Sequence, residues 1–324
     1  MTAETRHPLA FDYRSVRFGT SLLVHADAFE WLSRVPSDSL DGMVSDPPYG
    51  VEEYEPGQIE KMLSGGAGIW RIPPSFDGSA RAPLPRFTAL NDKQRATLRR
   101  FFRDFAAAAL PALKPGAHVM VAGNSFLSQL VFGAMVEGGL EFRTEVIRLV
   151  QTLRGGDKPK LGEGEFAKVA SLPRGGYEPW GLFRKPMPPK MTVRECLATY
   201  GTGGLRHKPD GNPFSDVIPS ERTPKRERAI ADHPSLKPQS LMRQLVRAIL
   251  PLGAGVLADP FAGSGSTIAA AEAVGYSCIG VERHQSYYDL ATNAVPQLQS
   301  LRIIDESSSL EPDAMEVLTS DPLL

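Results

Sequence analysis

The residues with the most specific chemistry in this chain are Asp46-Pro47-Pro48-Tyr49, which close an apolar, strand-like run from Leu40 to Ser45. A carboxylate oxygen of Asp46 and the main-chain carbonyl of Pro47 are neighbouring hydrogen-bond acceptors. Together they fit the exocyclic amino group of adenine or cytosine, whose lone pair is delocalised into the ring until the nitrogen moves towards tetrahedral geometry. Each acceptor takes one N–H, which steers the lone pair out of the ring plane and stabilises positive charge as it develops. Pro48 fixes its own φ and restricts Pro47, so the carbonyl is held in place beforehand. Tyr49 offers a flat face on which a base rotated out of a duplex can stack. A Pro-Pro turn that merely capped a strand would need neither the acid nor the aromatic ring.

A second loop, Asp259-Pro260-Phe261-Ala262-Gly263-Ser264-Gly265-Ser266-Thr267, follows the strand-like run from Gly255 to Ala258 and leads into a helix candidate. Its glycines let a ligand approach main chain where a Cβ would collide. Glu282, at the end of the next strand candidate, can accept hydrogen bonds from both hydroxyls of a ribose. Other glycine-loop chemistries fail on detail. There is no Lys-Ser/Thr pair for a P-loop, Ile268 stands where a dinucleotide fingerprint needs its third glycine, and Gly265 occupies the place of an elbow serine. Both loops leave the C-terminal ends of strands, the edge where open α/β sheets bind ligands, so they belong to one crevice.

The elements that must position these loops form an α/β alternation. Asn91 or Asp92 caps a predicted helix from Asp92 to Leu110, and Leu113-Lys114-Pro115-Gly116 turns into a strand from His118 to Ala122. A helix from about Phe126 to Glu137 and strands near Glu141 to Leu149 and Pro179 to Phe183 follow. The pattern is lost from Lys185 to Asp232. It resumes with a helix from Pro238 to Ile249, the strand to Ala258, a helix from Ser266 to Val274, a strand from Ser277 to Val281 and a helix from Gln285 to Gln299. The stretch from Val51 to Leu90 is longer and more Pro/Gly-rich than a minimal connection and reads as a mobile clamping loop, a lid or a decorated surface loop. The tail after Leu301 carries six acids against one base and reads as disordered.

A net charge of -1 over 324 residues announces no nucleic-acid partner by itself. The distribution is uneven, since ten basic residues face five acidic ones from Arg184 to Arg228. Taken alone, that excess is compatible with a solvated surface. No run approaches the roughly 18 apolar residues of a membrane span. The start MTAETRHPLAFDY lacks the apolar core of a secretory signal, so a cytoplasmic location is expected. Cys196 and Cys278 form no disulfide, redox or ligand pattern, the histidines form no ligand cluster, and no metal is expected. Cys196 lacks the Pro-Cys context of enzymes that attack cytosine through a thiolate.

With both loops in this order, the sequence resembles the amino-group DNA methyltransferases, in the circularly permuted β class whose catalytic motif precedes its cofactor motif. Asp46-Pro47-Pro48-Tyr49 looks like the DPPY motif and Asp259 to Gly265 like DPFxGSG. His233-Pro234-Ser235-Leu236-Lys237-Pro238 looks like HPxxKP, and the likeness spans about residues 20 to 298. The resemblance implies a Rossmann-like, S-adenosylmethionine-dependent methyltransferase fold with a mixed, mostly parallel central sheet and a loop-rich insertion. It implies catalysis by Asp46, Pro47, Pro48 and Tyr49. It assigns the cofactor to Asp27 at the adenine amine, Lys237 near the methionine moiety, Glu282 at the ribose, and Asp259, Pro260, Phe261, Gly263, Ser264 and Gly265 in the loop.

The same resemblance divides the chain into a catalytic half (15–185, with the 51–90 insertion), a target recognition region (186–232), a cofactor-binding half (233–300) and the acidic tail (301–324). Tyr177-Glu178-Pro179-Trp180 is similar to the element that leads out of the catalytic half. The basic segment gains a purpose, with Arg184, Lys185, Arg194, Arg206, Lys208, Lys225 and Arg226 as contacts to double-stranded DNA. The initial aspartate of DPPY favours N6 of adenine over N4 of cytosine, because the cytosine enzymes more often begin this motif with serine. RNA or protein amide methylation is disfavoured by the motif order. A catalytically silent nucleic-acid-binding module of the same fold is the rival of another class, disfavoured by the intact Asp46 and Glu282. Homodimerisation and a restriction partner stay open, and with DNA as the partner the expected cytoplasmic location is a nucleoid-associated one.

Overall fold

The structure, a computed structural model, describes residues 7–48, 90–150, 175–233 and 235–303. Tyr49, the 51–90 insertion up to its last residue and the tail from 304 onward lie outside the described residues. Among the described residues nine strands form one sheet: β1 (Ser15–Phe18), β2 (Ser21–His25), β3 (Leu40–Ser45), β4 (Leu113–Ala122), β5 (Glu141–Leu149), β6 (Tyr177–Arg184), β7 (Val217–Pro219), β8 (Val256–Asp259) and β9 (Ser277–Glu282). Their spatial order is β1-β2-β9-β8-β3-β4-β6-β5-β7. Of these strands β1 and β6 run against their neighbours, and the other pairings among the described residues are parallel. The mixed, mostly parallel sheet expected of the sequence is the one observed.

Strands buried on both faces are apolar nearly throughout, and β3 is buried at all six positions. Successive side chains of a strand point to opposite faces. Met43, Val121, Ala258 and Val281 accordingly join one core with helices α1 (Ala28–Arg34), α2 (Asp92–Ala112) and α3 (Ser128–Glu137). Val44, Met120, Leu257 and Cys278 join the other, with α6 (Gln239–Ile249), α7 (Ser266–Val274) and α8 (Gln285–Gln299). Gly42 permits the close approach of α6 to β3, since a Cβ there would come 3.0 Å from Ile249 Cγ1.

The helices begin where local chemistry satisfies their first N–H groups. Asn91 caps α2 in a reciprocal box with Gln94. At the other end of α2, the carbonyls of Pro111 and Ala112 accept from the Asp38 and Ser39 amides, which lead into β3. The stretch read as patternless, 185 to 232, holds more structure than expected: α4 (Val193–Tyr200), the edge strand β7 and the short helix α5 (Lys225–Ile230). α4 was legible in principle. Thr192 and Glu195 form a capping box and Gly201 ends the helix in the left-handed region at φ +75°.

Phe105 links the core to the cofactor-type loop, because its ring packs edge-on against Phe261 at 5.2 Å and against Phe29 at 6.4 Å. Truncation of this fully buried ring by Phe105→Ala is expected to lower unfolding stability by about 3–5 kcal/mol, measured by urea denaturation.

Candidate active site

Parallel strands place their C-terminal ends along one edge, and the motif residues collect there. β3 ends in Ser45, followed by Asp46; β8 ends in Asp259; β9 ends in Glu282. β3 and β8 are direct neighbours. Ser45 Oγ donates to Asp259 Oδ1 at 2.6 Å, a buried bond that ties the two loops together at their roots. Asp259 Oδ1 also accepts the Phe261 amide at 3.2 Å, so the aspartate shapes its own loop. Burial pushes its carboxyl up to about 6, against the hydrogen bonds it accepts.

The loop from Asp259 to Thr267 then folds over the start of α7. Gly263 sits at φ +51° and Gly265 at φ +81°, conformations that favour glycine. A Cβ at Gly265 would collide with Val295 of α8 at 2.4 Å. Glu282 holds the loop from the other side: Oε2 accepts the Gly263 amide at 3.0 Å and Oε1 the His284 amide at 2.7 Å. The carboxylate thus has a loop-shaping role that sequence reasoning did not include. A carboxylate offers about four lone-pair sites, so acceptor capacity remains for a further donor. Burial raises its pKa, opposed by those amides.

Between the loops lies Lys237. Its Nζ is 2.9 Å from Asp46 Oδ2 and 3.4 Å from Glu178 Oε1, with all three side chains largely buried. Burial alone would discharge an ammonium, but the two carboxylates hold the pKa of Lys237 up. Glu178 is held below the usual carboxylate range despite burial, by Lys237 and Arg148. Sequence reasoning placed Lys237 with the cofactor and did not see that its first partner is Asp46. It also missed the roles of Arg148 and Glu178, which become neighbours only through the antiparallel register of β5 and β6.

Asp46, His233, Ser235, Lys237, Asp259 and the 261–264 loop line one cleft that opens to solvent. The His233 ring packs edge-on against Tyr287 at 4.5 Å and lies over Gly263, where a Cβ would come within 3.3 Å of it. Burial, aided by Lys237, lowers the His233 pKa to about 4, so the ring is neutral at pH 7. Asp27 is not among the lining residues. Its Oδ1 caps α1 through the Phe29 and Glu30 amides, while the adjacent Ala26 amide donates to the Glu282 carbonyl, which sets Asp27 beside the end of β9.

The basic residues divide between opposite edges of the sheet. Arg184 is paired with Glu141, and Lys185 is bonded to Asp38 and the Leu113 carbonyl. Both sit where β3 and β4 begin, away from the cleft. α4, which carries Arg194, packs at that same edge through Cys196 and the Pro115 carbonyl. Arg206 is bonded to the Tyr276 hydroxyl, just before β9 starts. Lys208 pairs with Asp210 within a turn. Lys225 and Arg226 are exposed on α5, whose buried Glu227 accepts the Gln239 amide two residues beyond Lys237, at the cleft edge. Among the described residues no cluster of His, Cys, Asp or Glu could hold a metal ion, and no helix is long and apolar enough to cross a membrane.

Comparison with known proteins shows the family and the fold to which the chain is similar. A family model described as DNA methylase, of the N6/N4 type, matches residues 40–293. The type II methyltransferase M2.DpnII of Streptococcus pneumoniae is 24% identical over 270 residues, covering 83% of this chain and 87% of its own. The type II methyltransferase M.HindIII of Haemophilus influenzae is 25% identical over 297 residues, covering 84% and 94%. In fold the chain is similar to the cytosine-N4-specific PvuII DNA methyltransferase, with a TM-score of 0.54, 15% identity and 90% of each chain covered. It is similar also to M1.HpyAVI in complex with SAM, with a TM-score of 0.50, 15% identity and coverage of 86% and 98%. The family match spans most of the chain and includes the residues around the cleft, and this protein belongs to the N6/N4 family of DNA methylases.

Proposed function

We propose that this chain transfers a methyl group from S-adenosylmethionine to N6 of an adenine rotated out of duplex DNA. The observation that carries the reading is the single cleft lined by Asp46 on one side and by the Asp259–Thr267 loop on the other. A sulfonium donor supplies a methyl group that needs only a nucleophile in line with its carbon–sulfur bond. The residues fit such a donor: the positive-φ Gly263 leaves open a cradle under His233 that a side chain would fill, and Glu282 keeps lone pairs for ribose hydroxyls.

Asp46 and the Pro47 carbonyl each accept one N–H of the target amine, and Tyr49 stacks on the base. The nitrogen lone pair forms the new N–C bond, the carbon–sulfur bond breaks with its electrons going to sulfur, and the nitrogen sheds one proton towards Asp46. The aspartate that begins the DPPY-type loop favours adenine. Within the recognition region, the part that borders the cleft supplies the DNA contacts, with Lys225 and Arg226 foremost. A restriction partner is proposed only by likeness to the type II relatives.

Asp46→Ala is expected to slow transfer by at least about 10²–10³-fold while changing cofactor affinity by less than ~threefold, read by radiolabelled methyl incorporation and calorimetry. Gly263→Trp should abolish cofactor binding in the same titration while the melting transition persists. Mass spectrometry of digested product DNA should give N6-methyladenine; N4-methylcytosine would move the assignment to cytosine. Charge reversal of Lys225 and Arg226 together should weaken binding to all DNA sequences and reduce the salt slope by about 2, measured by fluorescence titration across ionic strengths.

A further inference from the structure

Glu178 lies in no motif with an assigned chemistry, yet every part of its carboxylate is engaged at the edge of the cleft. Oε1 accepts the Trp180 indole N–H at 2.8 Å and lies 3.4 Å from Lys237 Nζ; Oε2 accepts from the Arg148 guanidinium at 3.1 Å. Arg148, 6% exposed, donates further to Ser220 Oγ at 3.0 Å and to the Glu221 carbonyl at 2.8 Å. On its other side Lys237 reaches Asp46 at 2.9 Å. The charges alternate along this buried row: Asp46 negative, Lys237 positive, Glu178 negative, Arg148 positive.

An ammonium with Asp46 as its one carboxylate partner would be held hard against it, because attraction between charges strengthens away from water. It would then occupy an acceptor site that the amino group of a target base needs. A second carboxylate on the far side gives the ammonium somewhere else to go without leaving it buried and unpaired. We propose that Glu178 is a positioning residue for methyl transfer: it shares Lys237 with Asp46 and takes over the ammonium when the target amine docks on Asp46. The proposal rests on the reading of Asp46 as the acceptor for that amine. Arg148 keeps Glu178 compensated at its second oxygen and fixes it against the Ser220 hydroxyl and the Glu221 carbonyl, so the carboxylate is aimed before the base arrives.

Single-turnover methyl transfer into duplex DNA by the full chain tests this with Glu178→Gln and Glu178→Asp. Glutamine keeps the shape and an oxygen for the Trp180 N–H but removes the charge; aspartate keeps the charge and shortens the reach. Sharing of Lys237 requires the Gln variant to be at least ~tenfold slower in the transfer step, with cofactor affinity and KM for DNA within ~threefold of wild type, and the Asp variant to be faster than Gln. A merely structural role gives the reverse order, since glutamine is the better steric match. That order, or a Gln variant as fast as wild type, overturns the proposal. If the Gln variant shows no cooperative melting, the Asp variant decides: a rate within ~tenfold of wild type supports the charge role, and a larger loss removes it. A wild-type chain that transfers no methyl to DNA, or an Asp46→Ala chain that transfers normally, overturns the underlying reading and this proposal with it, and is recognised without touching Glu178.

Discussion

The parallel pairing of β3 with β8 is the constraint on which the rest of this molecule depends. Neighbours in a parallel sheet end on the same side, so Asp46 and Asp259 emerge next to each other although more than two hundred residues separate them in sequence. The Ser45–Asp259 hydrogen bond fixes the spacing at the base of both loops, in a region with almost no solvent exposure. Group transfer between two bound partners is sensitive to displacements on the order of 1 Å. A gap defined by two strand ends and a buried hydrogen bond is better suited to that demand than one defined by surface loops.

Above this base the site is organised by buried carboxylates with different kinds of partner. Asp259 and Glu282 are met chiefly by hydroxyl and main-chain N–H groups and act on the shape of the 259–267 loop. Asp46 and Glu178 are met by cations, Lys237 between them and Arg148 behind. Burying ionised groups is unfavourable, and even a well-paired network adds little net stability over apolar packing. The row from Asp46 to Arg148 is therefore better understood as orientation than as a source of stability. Its last member also holds the Ser220 hydroxyl and the Glu221 carbonyl, which ties the segment leading to α5 to the cleft.

The basic segment illustrates where composition misleads. Ten cations against five acids between Arg184 and Arg228 read as one patch, but the chain crosses the whole height of the sheet within that interval. Arg184 and Lys185 are consumed by ion pairs and a carbonyl at the amino edge, and Arg206 by the Tyr276 hydroxyl. Only the later part, anchored through Glu227 to the start of α6, borders the cleft. Charge counting has no means of separating these groups, because proximity in sequence fixes nothing beyond a few residues once strands intervene.

By itself the sequence determined the α/β alternation, the strand-end position of both loops and the family, because apolar periodicity, proline pairs and glycines act through local backbone sterics that need no knowledge of the fold. Of the residues it singled out, Asp46, Lys237, Asp259 and Gly263 line one cleft, while Glu282 meets that cleft's loop through the Gly263 amide. Tertiary structure alone decided that Lys237 faces Asp46, that Glu178 and Arg148 stand behind it, and that the basic segment is split between two edges. Those facts arise from the register of β5 on β6 and the order of strands in the sheet. Register and strand order are fixed by packing summed over the whole core, and no local run of residues encodes such a sum.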